Sequence, residues 1–214
     1  MSKFQASQWF RGSACGHATS MLYVMSKDIF PKYPTSDDKS IEDVLAQSSS
    51  KAVINAPIEK IDITDWVFNL SDAEYQTCST AHYAGGTSTT SDGKRMSINV
   101  EMVGPGLILE HYVEVISEKH HCRLISLSDV LAPQGKTTIR VQWEMIATPL
   151  SATTCEFTNN VVTGATEDYL KFLEKNGVPF EAAKEGLKQA LDAHNHEETP
   201  NFAKSIERKA LSAG

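Results

Sequence analysis

Imidazole is the side chain best suited to moving protons near neutral pH, and alternation singles out one histidine. Leu107, Leu109, His111, Val113 and Val115 share one parity, hence one face of a strand. Glu110 and Glu114 take the other face, which reads as solvated. His111 is therefore the candidate catalytic residue, with two readings open. It is either a core imidazole bonded to a neighbouring group or an acid–base group facing a ligand. The same parity puts Ile98, Val100 and Met102 inside, with Asn99 and Glu101 outside; further on it puts Ile139, Val141, Trp143 and Met145 inside. The expected ligand-binding set is thus Ile98, Val100, Leu109, Val113, Val141, Trp143 and Met145, with His82 and Tyr83 at a rim beside Gly85-Gly86. For the His82-Tyr83 pair, the plain alternative is a surface position next to a turn.

Other chemistries find less support. No G-x-S-x-G elbow is present to hold a nucleophilic serine, and Gly85-Gly86-Thr87 has neither the spacing nor the lysine of a phosphate loop. Adjacent His120 and His121 on a strand point to opposite faces, so one ion cannot take both without a bend. His194-Asn195-His196-Glu197 reads as a solvated charge cluster at a helix end. The expectation is no metal and no cofactor.

Positioning such residues requires a sheet. Ser91-Asp92-Gly93-Lys94, Gly104-Pro105-Gly106, Ser117 to Lys119 and Ala132 to Lys136 are turn signals separating runs of period two. Hairpin-length turns in series predict an antiparallel meander, not parallel crossovers. Before it, Lys51 to Ala56 reads as a strand, and Pro57 opens a segment of two short helices punctuated by Thr64, Asp65 and Asp72. After it, Thr166 caps a helix carrying Tyr169, Leu170, Phe172 and Leu173, stopped by Asn176-Gly177. A second helix runs to about residue 193, and Thr199-Pro200 starts a last one. The spacing predicts that the helix after Thr166 lies across the sheet. Residues 1–50 read as an extension: Ser36-Asp37-Asp38 caps a helical turn with Ile41, Val44 and Leu45, Ser48-Ser49-Ser50 is a linker, and Trp9, Phe10, Leu22 and Tyr23 are its packing residues.

Composition bounds the rest. A chain of 214 residues with 41% hydrophobic content supports one main core. Its net charge of −7 and the lack of a basic patch speak against nucleic-acid binding. No run of eighteen apolar residues spans a membrane. The first residues lack a signal-peptide core, and Cys15, Cys78, Cys122 and Cys155 stand apart. These observations predict reduced thiols and a cytoplasmic location.

Val53-Ile54-Asn55-Ala56-Pro57-Ile58-Glu59-Lys60-Ile61, followed by Trp66-Val67-Phe68 and Asp72-Ala73-Glu74-Tyr75, resembles the opening of the START-like superfamily, which includes Bet v 1 allergens and polyketide cyclases. The likeness covers residues 51–177. It implies an α+β helix-grip fold, a curved antiparallel sheet around a long C-terminal helix with an internal apolar cavity. Residues 1–50 and 178–214 are then extensions, either of which could roof the cavity or build a homodimer contact. The implied partner is a hydrophobic or aromatic small molecule. Two functions remain open: catalysis as a cyclase, dehydratase, isomerase or lyase in small-molecule biosynthesis, or a non-catalytic carrier or sensor.

Overall fold

The computed structural model describes Ile41 and residues 43–212; the expected packing of Trp9, Phe10, Leu22 and Tyr23 and the thiol of Cys15 lie outside them. Seven strands form one sheet: β1 (Val44–Ile54), β2 (His82–Thr89), β3 (Arg95–Val103), β4 (Gly106–Glu118), β5 (His121–Ala132), β6 (Gly135–Pro149) and β7 (Cys155–Ala165). Their order is β1-β7-β6-β5-β4-β3-β2, antiparallel throughout. Every link from β2 to β7 is a hairpin, because each turn signal falls between runs of alternating residues. Gly93 closes the first with φ 88°, a conformation that costs glycine little. No described helix is long and apolar enough to cross a membrane.

β1 and β2 are consecutive in the chain yet occupy opposite edges, so residues 55–81 must cross one end of the sheet. They do so as a 3₁₀ turn (Ile58–Lys60) and two helices, α1 (Ile63–Asn69) and α2 (Asp72–Cys78). Asp62 and Ser71 cap them, each side chain accepting the amide three residues on.

β1 begins seven residues earlier than the sequence predicts. Val44, Ala46 and the serines 48–50 pair with β7, with a bulge at Leu45, instead of forming a helical turn and a linker. Serine has little strand preference of its own, but the ladder to β7 satisfies its backbone, and Leu45, Ala46 and Ser48 are buried.

The helix after Thr166 is short: α3 (Glu167–Lys175). Its N-cap is Thr166, whose Oγ1 accepts the Tyr169 amide at 3.0 Å. It ends in a Schellman arrangement, with Gly177 N–H on Glu174 O (3.1 Å), Val178 N–H on Leu173 O (3.0 Å) and Gly177 at φ 66°. The helix that lies against the sheet is α4 (Phe180–Ser212), within the expected extension. It is unbroken, and Pro200 stands inside it. A mid-helix proline forfeits one backbone hydrogen bond. Around it side chains hold the backbone: Thr199 Oγ1 donates to Asn195 O (2.6 Å) and Asn201 Nδ2 to Glu197 O (3.1 Å). Leu191, Phe202, Ala203, Ile206 and Ala210 of α4 belong to the same core as Trp66, Tyr75, Trp143 and Phe157. Phe202 meets Trp66 edge-on at 5.2 Å, and Trp66 Nε1 donates to Ser205 Oγ at 2.8 Å.

The two helices therefore answer differently to mutation. Phe202, 1% exposed, should cost about 3–5 kcal/mol when cut to alanine. Leu170→Asp, at a position 42% exposed, should stay within about 0.5 kcal/mol of the parent. Urea denaturation of both variants checks this, and the reverse ranking would mean that α3, not α4, is the core helix.

Candidate functional site

α4 covers one face of the sheet, and the side chains on that face are not the apolar set of β3 and β4. On β3 the cavity face carries Asn99, Glu101 and Val103; on β4 it carries Ile108, Glu110 and Tyr112. Ile98, Val100, Leu109 and His111 alternate to the other face, where they are half-buried, and Val113 is buried on that side too. This corrects the placement of His111 and of those four aliphatics in the cavity. Across strands Ile98 faces His111 and Val100 faces Leu109, and such pairs shield apolar side chains on an outer face. The His111 amide donates to Ser126 Oγ at 2.8 Å. On β6 parity holds: Val141 and Trp143 line the cavity, and Met145 is buried on the same face. Tyr83 is 57% exposed, whereas the His82 side chain is fully buried.

His82 belongs to a cluster that no single stretch of sequence reveals. His82 from β2, Glu101 from β3, and His194 and Glu198 from α4 meet with donor atoms all within 4.8 Å. His82 Nε2 lies 3.5 Å from Glu101 Oε2 and 3.2 Å from Glu198 Oε2. His194 Nε2 lies 3.4 Å from Glu101 Oε1 and 3.3 Å from Glu198 Oε2. An outer set of partners holds all four. Tyr75 stacks on His82 with ring centroids 3.9 Å apart and donates its hydroxyl to Glu101 Oε2 at 2.7 Å. Trp143 Nε1 donates to Asn159 Oδ1 (2.7 Å), and Asn159 Nδ2 donates to Glu198 Oε1 (3.0 Å).

Burial opposes charge on His194, but the carboxylates of Glu198 and Glu101 outweigh it and push its pKa up to about 11. Burial likewise opposes charge on Glu198, and the imidazoles of His194 and His82 override it, holding it at about 2. Glu110 has no such partner. Burial, then the neighbouring charge of Glu101, pushes its carboxyl well above the usual range and favours the protonated form, the Tyr112 hydroxyl and His194 opposing this in part. Tyr112 donates to its Oε1 at 2.8 Å. Cys78 and Cys122 are pushed up to about 11 by burial and are poor nucleophiles.

Two chambers adjoin. The inner one, about 30 Å³, is lined by Glu101, Glu110, Tyr112, Trp143, His194 and Glu198, and admits one or two water-sized groups. The outer one, about 250 Å³, is apolar and lies among α3, α4 and the β3–β4 and β5–β6 turns. Val103, Ile108, Ile139 and Leu187 line both. The outer chamber exists because α4 presents Ala182, Ala183, Gly186 and Ala190 there instead of large side chains. Thr137 Oγ1 belongs to a residue lining it and is, among the described residues, the buried side-chain polar atom without a hydrogen-bond partner.

Sequence reading passes over Glu101, Glu110, His194 and Glu198. Two signals were available: His194 and Glu198 sit one helical turn apart, and Asn99-x-Glu101 with Glu110-x-Tyr112 puts polar pairs on one face of neighbouring strands.

A raised carboxyl pKa sets the sign of a pH effect. Folding holds a proton on Glu110, so that contribution to stability is complete below the ordinary value of about 4.5 and declines as pH rises above it. Facing it are Glu101 of β3, Tyr112 of β4, and His194 and Glu198 of α4. Glu110→Gln cannot ionise and lacks the decline. Relative to wild type, its melting temperature should improve by several degrees between about pH 4 and pH 8, since a kcal/mol moves Tm by roughly 2–4 °C at this size. Melting curves that stay parallel across this range would show Glu110 titrating normally.

Comparison with known proteins places this geometry in context. No family model matches the chain, and neither does any curated protein. Among solved structures it is similar to a START superfamily protein from Mycobacterium smegmatis, at 12% identity over 78% of this chain and 99% of that one, TM-score 0.46. It is also similar to the Zhui aromatase/cyclase from Streptomyces sp. R1128, at 9% identity over 77% and 93%, TM-score 0.48. A norcoclaurine synthase from Thalictrum flavum matches at 11% over 78% and 94%, TM-score 0.43. With one seven-stranded antiparallel sheet among the described residues, two short helices between the first two strands and a long helix after the last strand across one face, the chain has a helix-grip fold.

Proposed function

We propose that the protein binds a hydrophobic or aromatic small molecule in the outer chamber and transforms it by acid–base chemistry at the inner one, as a cyclase, dehydratase, isomerase or lyase. The supporting observation is the adjacency of the two chambers: an apolar space of about 250 Å³ shares Val103, Ile108, Ile139 and Leu187 as its wall with a chamber lined by buried carboxyl groups. That volume falls just under the roughly 300–1,000 Å³ of small-molecule sites, which suits a compact ligand. A pure carrier has no use for three carboxyl groups and an imidazole at the blind end of its cavity, since each costs free energy to bury.

Roles follow from protonation state. Glu110 is the neutral acid that can give a proton to a carbonyl or hydroxyl entering the inner chamber, and its conjugate base can take one back. Glu198, tied to both imidazoles and with its pKa held at about 2, carries negative charge that favours a developing cation. Thr137 Oγ1 offers a hydrogen bond to a polar group in the outer chamber.

Binding is tested with a fluorescent anilinonaphthalene sulfonate probe and with native mass spectrometry of what co-purifies. Ala183→Phe adds a ring from the half-buried wall of the outer chamber. It should weaken probe binding by roughly tenfold or more while leaving the fold intact, because each tenfold step is only about 1.4 kcal/mol. Unchanged probe affinity would remove the outer chamber as the binding site. With the co-purifying ligand in hand, Glu110→Gln should lower turnover by about 10²–10⁴ without loss of binding. Binding without turnover in wild type leaves the carrier as the function.

A further inference from the structure

We propose that His82, Glu101, His194 and Glu198 form a binding site for one divalent cation of the zinc class. The site does not depend on the acid–base reading of the cavity, and it would stand if the protein proved to be a carrier.

The distances are those of a coordination shell. A tetrahedral ion with ligand bonds of about 2.0–2.2 Å has donor–donor edges of roughly 3.3–3.6 Å. The four imidazole–carboxylate separations are 3.2, 3.3, 3.4 and 3.5 Å, both rings meeting Glu198 Oε2 while His82 meets Oε2 and His194 Oε1 of Glu101. One ligand atom from each residue lies within 4.8 Å of the others, so a small turn of the Glu101 carboxylate closes the shell. These contacts run between donors from three separate elements, β2, β3 and α4, so the convergence is built by the tertiary fold rather than by local sequence.

The orientation of each imidazole agrees. His82 Nδ1 lies 2.8 Å from the Tyr75 carbonyl oxygen. A carbonyl only accepts, so Nδ1 carries hydrogen and Nε2 is the free donor in the neutral ring. Ser79 Oγ gives its hydrogen to Glu197 Oε2 (3.1 Å) and accepts the Ala81 amide (3.1 Å). It therefore accepts from His194 Nδ1 at 3.4 Å as well. Both rings are thus held with Nε2 turned toward the same point as two carboxylates. A ligating histidine tied at its other nitrogen to a carbonyl or hydroxyl is the ordinary outer-shell pattern of a metal site. The carboxylates are likewise tied, Glu101 by the Tyr75 hydroxyl and Glu198 by the Asn159 amide.

Charge selects the ion. An ion entering the site displaces the proton held between His194 and the carboxylates, which leaves to solvent. With the imidazoles then neutral, two glutamates contribute −2, which a divalent cation cancels inside a buried site. Two nitrogens and two carboxylate oxygens at tetrahedral spacing suit zinc, whereas magnesium and calcium require six or more oxygen ligands. Glu101, His194 and Glu198 also line the inner chamber, so the ion sits at its wall.

The test uses the full chain, stripped with a chelator and titrated calorimetrically with Zn²⁺. One ion per chain is expected, and Co²⁺ in its place should give the intense visible absorption of four-coordinate cobalt. His82→Ala and Glu198→Gln should each weaken Zn²⁺ binding by roughly a hundredfold or more, and Tyr75→Phe by about tenfold. His196→Ala, on the exposed side of α4, should change nothing. Circular dichroism verifies folding; should His82→Ala unfold, the near-isosteric Glu198→Gln decides. Lack of saturable one-to-one Zn²⁺ binding by the folded wild type, or affinity unchanged in Glu198→Gln, overturns the proposal and leaves the cluster as a hydrogen-bonded group of imidazoles and carboxyls. Neither result bears on the Ala183→Phe effect on probe binding, so the two readings fail separately.

Discussion

Burying Glu101 and Glu198 between sheet and helix is the constraint on which the rest of the structure turns. A carboxylate taken out of water costs several kcal/mol unless a cation and hydrogen bonds replace its hydration. Here positive charge can come only through His82 and His194, which face both acids at 3.2–3.5 Å. His194 and Glu198 are one turn apart on α4, so satisfying both fixes the rotation and the axial position of that helix against β2 and β3. The outer partners extend the constraint: Tyr75 comes from α2, Asn159 from β7 and Trp143 from β6. One polar network thereby spans the sheet from near one edge to the other.

That network explains what the sequence discloses. Turns were legible where glycine, proline and aspartate act locally, as at Asp92-Gly93, Gly104-Pro105 and Pro133, which fall between β2 and β3, β3 and β4, and β5 and β6. The start of β1 was not, because three serines acquire strand structure only through pairing with β7. The continuity of α4 was hidden for a related reason. Its buried face runs through Leu191, His194, Asn195, Glu198, Thr199 and Phe202, a regular helical repeat whose four central residues are polar. Reading hydrophobic residues alone, the stripe stops at Leu191, and Pro200 appears to begin something new.

The same substitution of polar for apolar misdirected the reading of β3 and β4. Alternation identifies two faces but not which one is covered. Ile98, Val100, Leu109 and Val113 look like a core face, while Glu101 and Glu110 look solvated. The acids are 7% and 3% exposed, made tolerable by tyrosines and histidines that lie from 2 residues (Glu110 to Tyr112) to 93 residues (Glu101 to His194) away in the chain. A binary pattern cannot carry that information, because it depends on what arrives from elsewhere. On β6, where the cavity face is apolar, the pattern and the fold agree at Val141, Trp143 and Met145.

The two ends of α4 divide the tasks that a grip of this kind must perform. Its last turns are fastened to the crossing helices: Trp66 to Ser205, Ser205 and Arg208 to Glu74, and Lys209 to Asp65. Its first turns carry alanine and glycine where the outer chamber opens. Small residues there leave space that large ones would fill, and rigid anchoring at the far end keeps the helix from collapsing into that space. The outer chamber lies among α3, α4 and the β3–β4 turn, apart from the network, while the inner chamber of about 30 Å³ has room for one or two water-sized groups. One helix thus bounds two spaces of different chemistry, because it is small-sided at its start and charged at its middle.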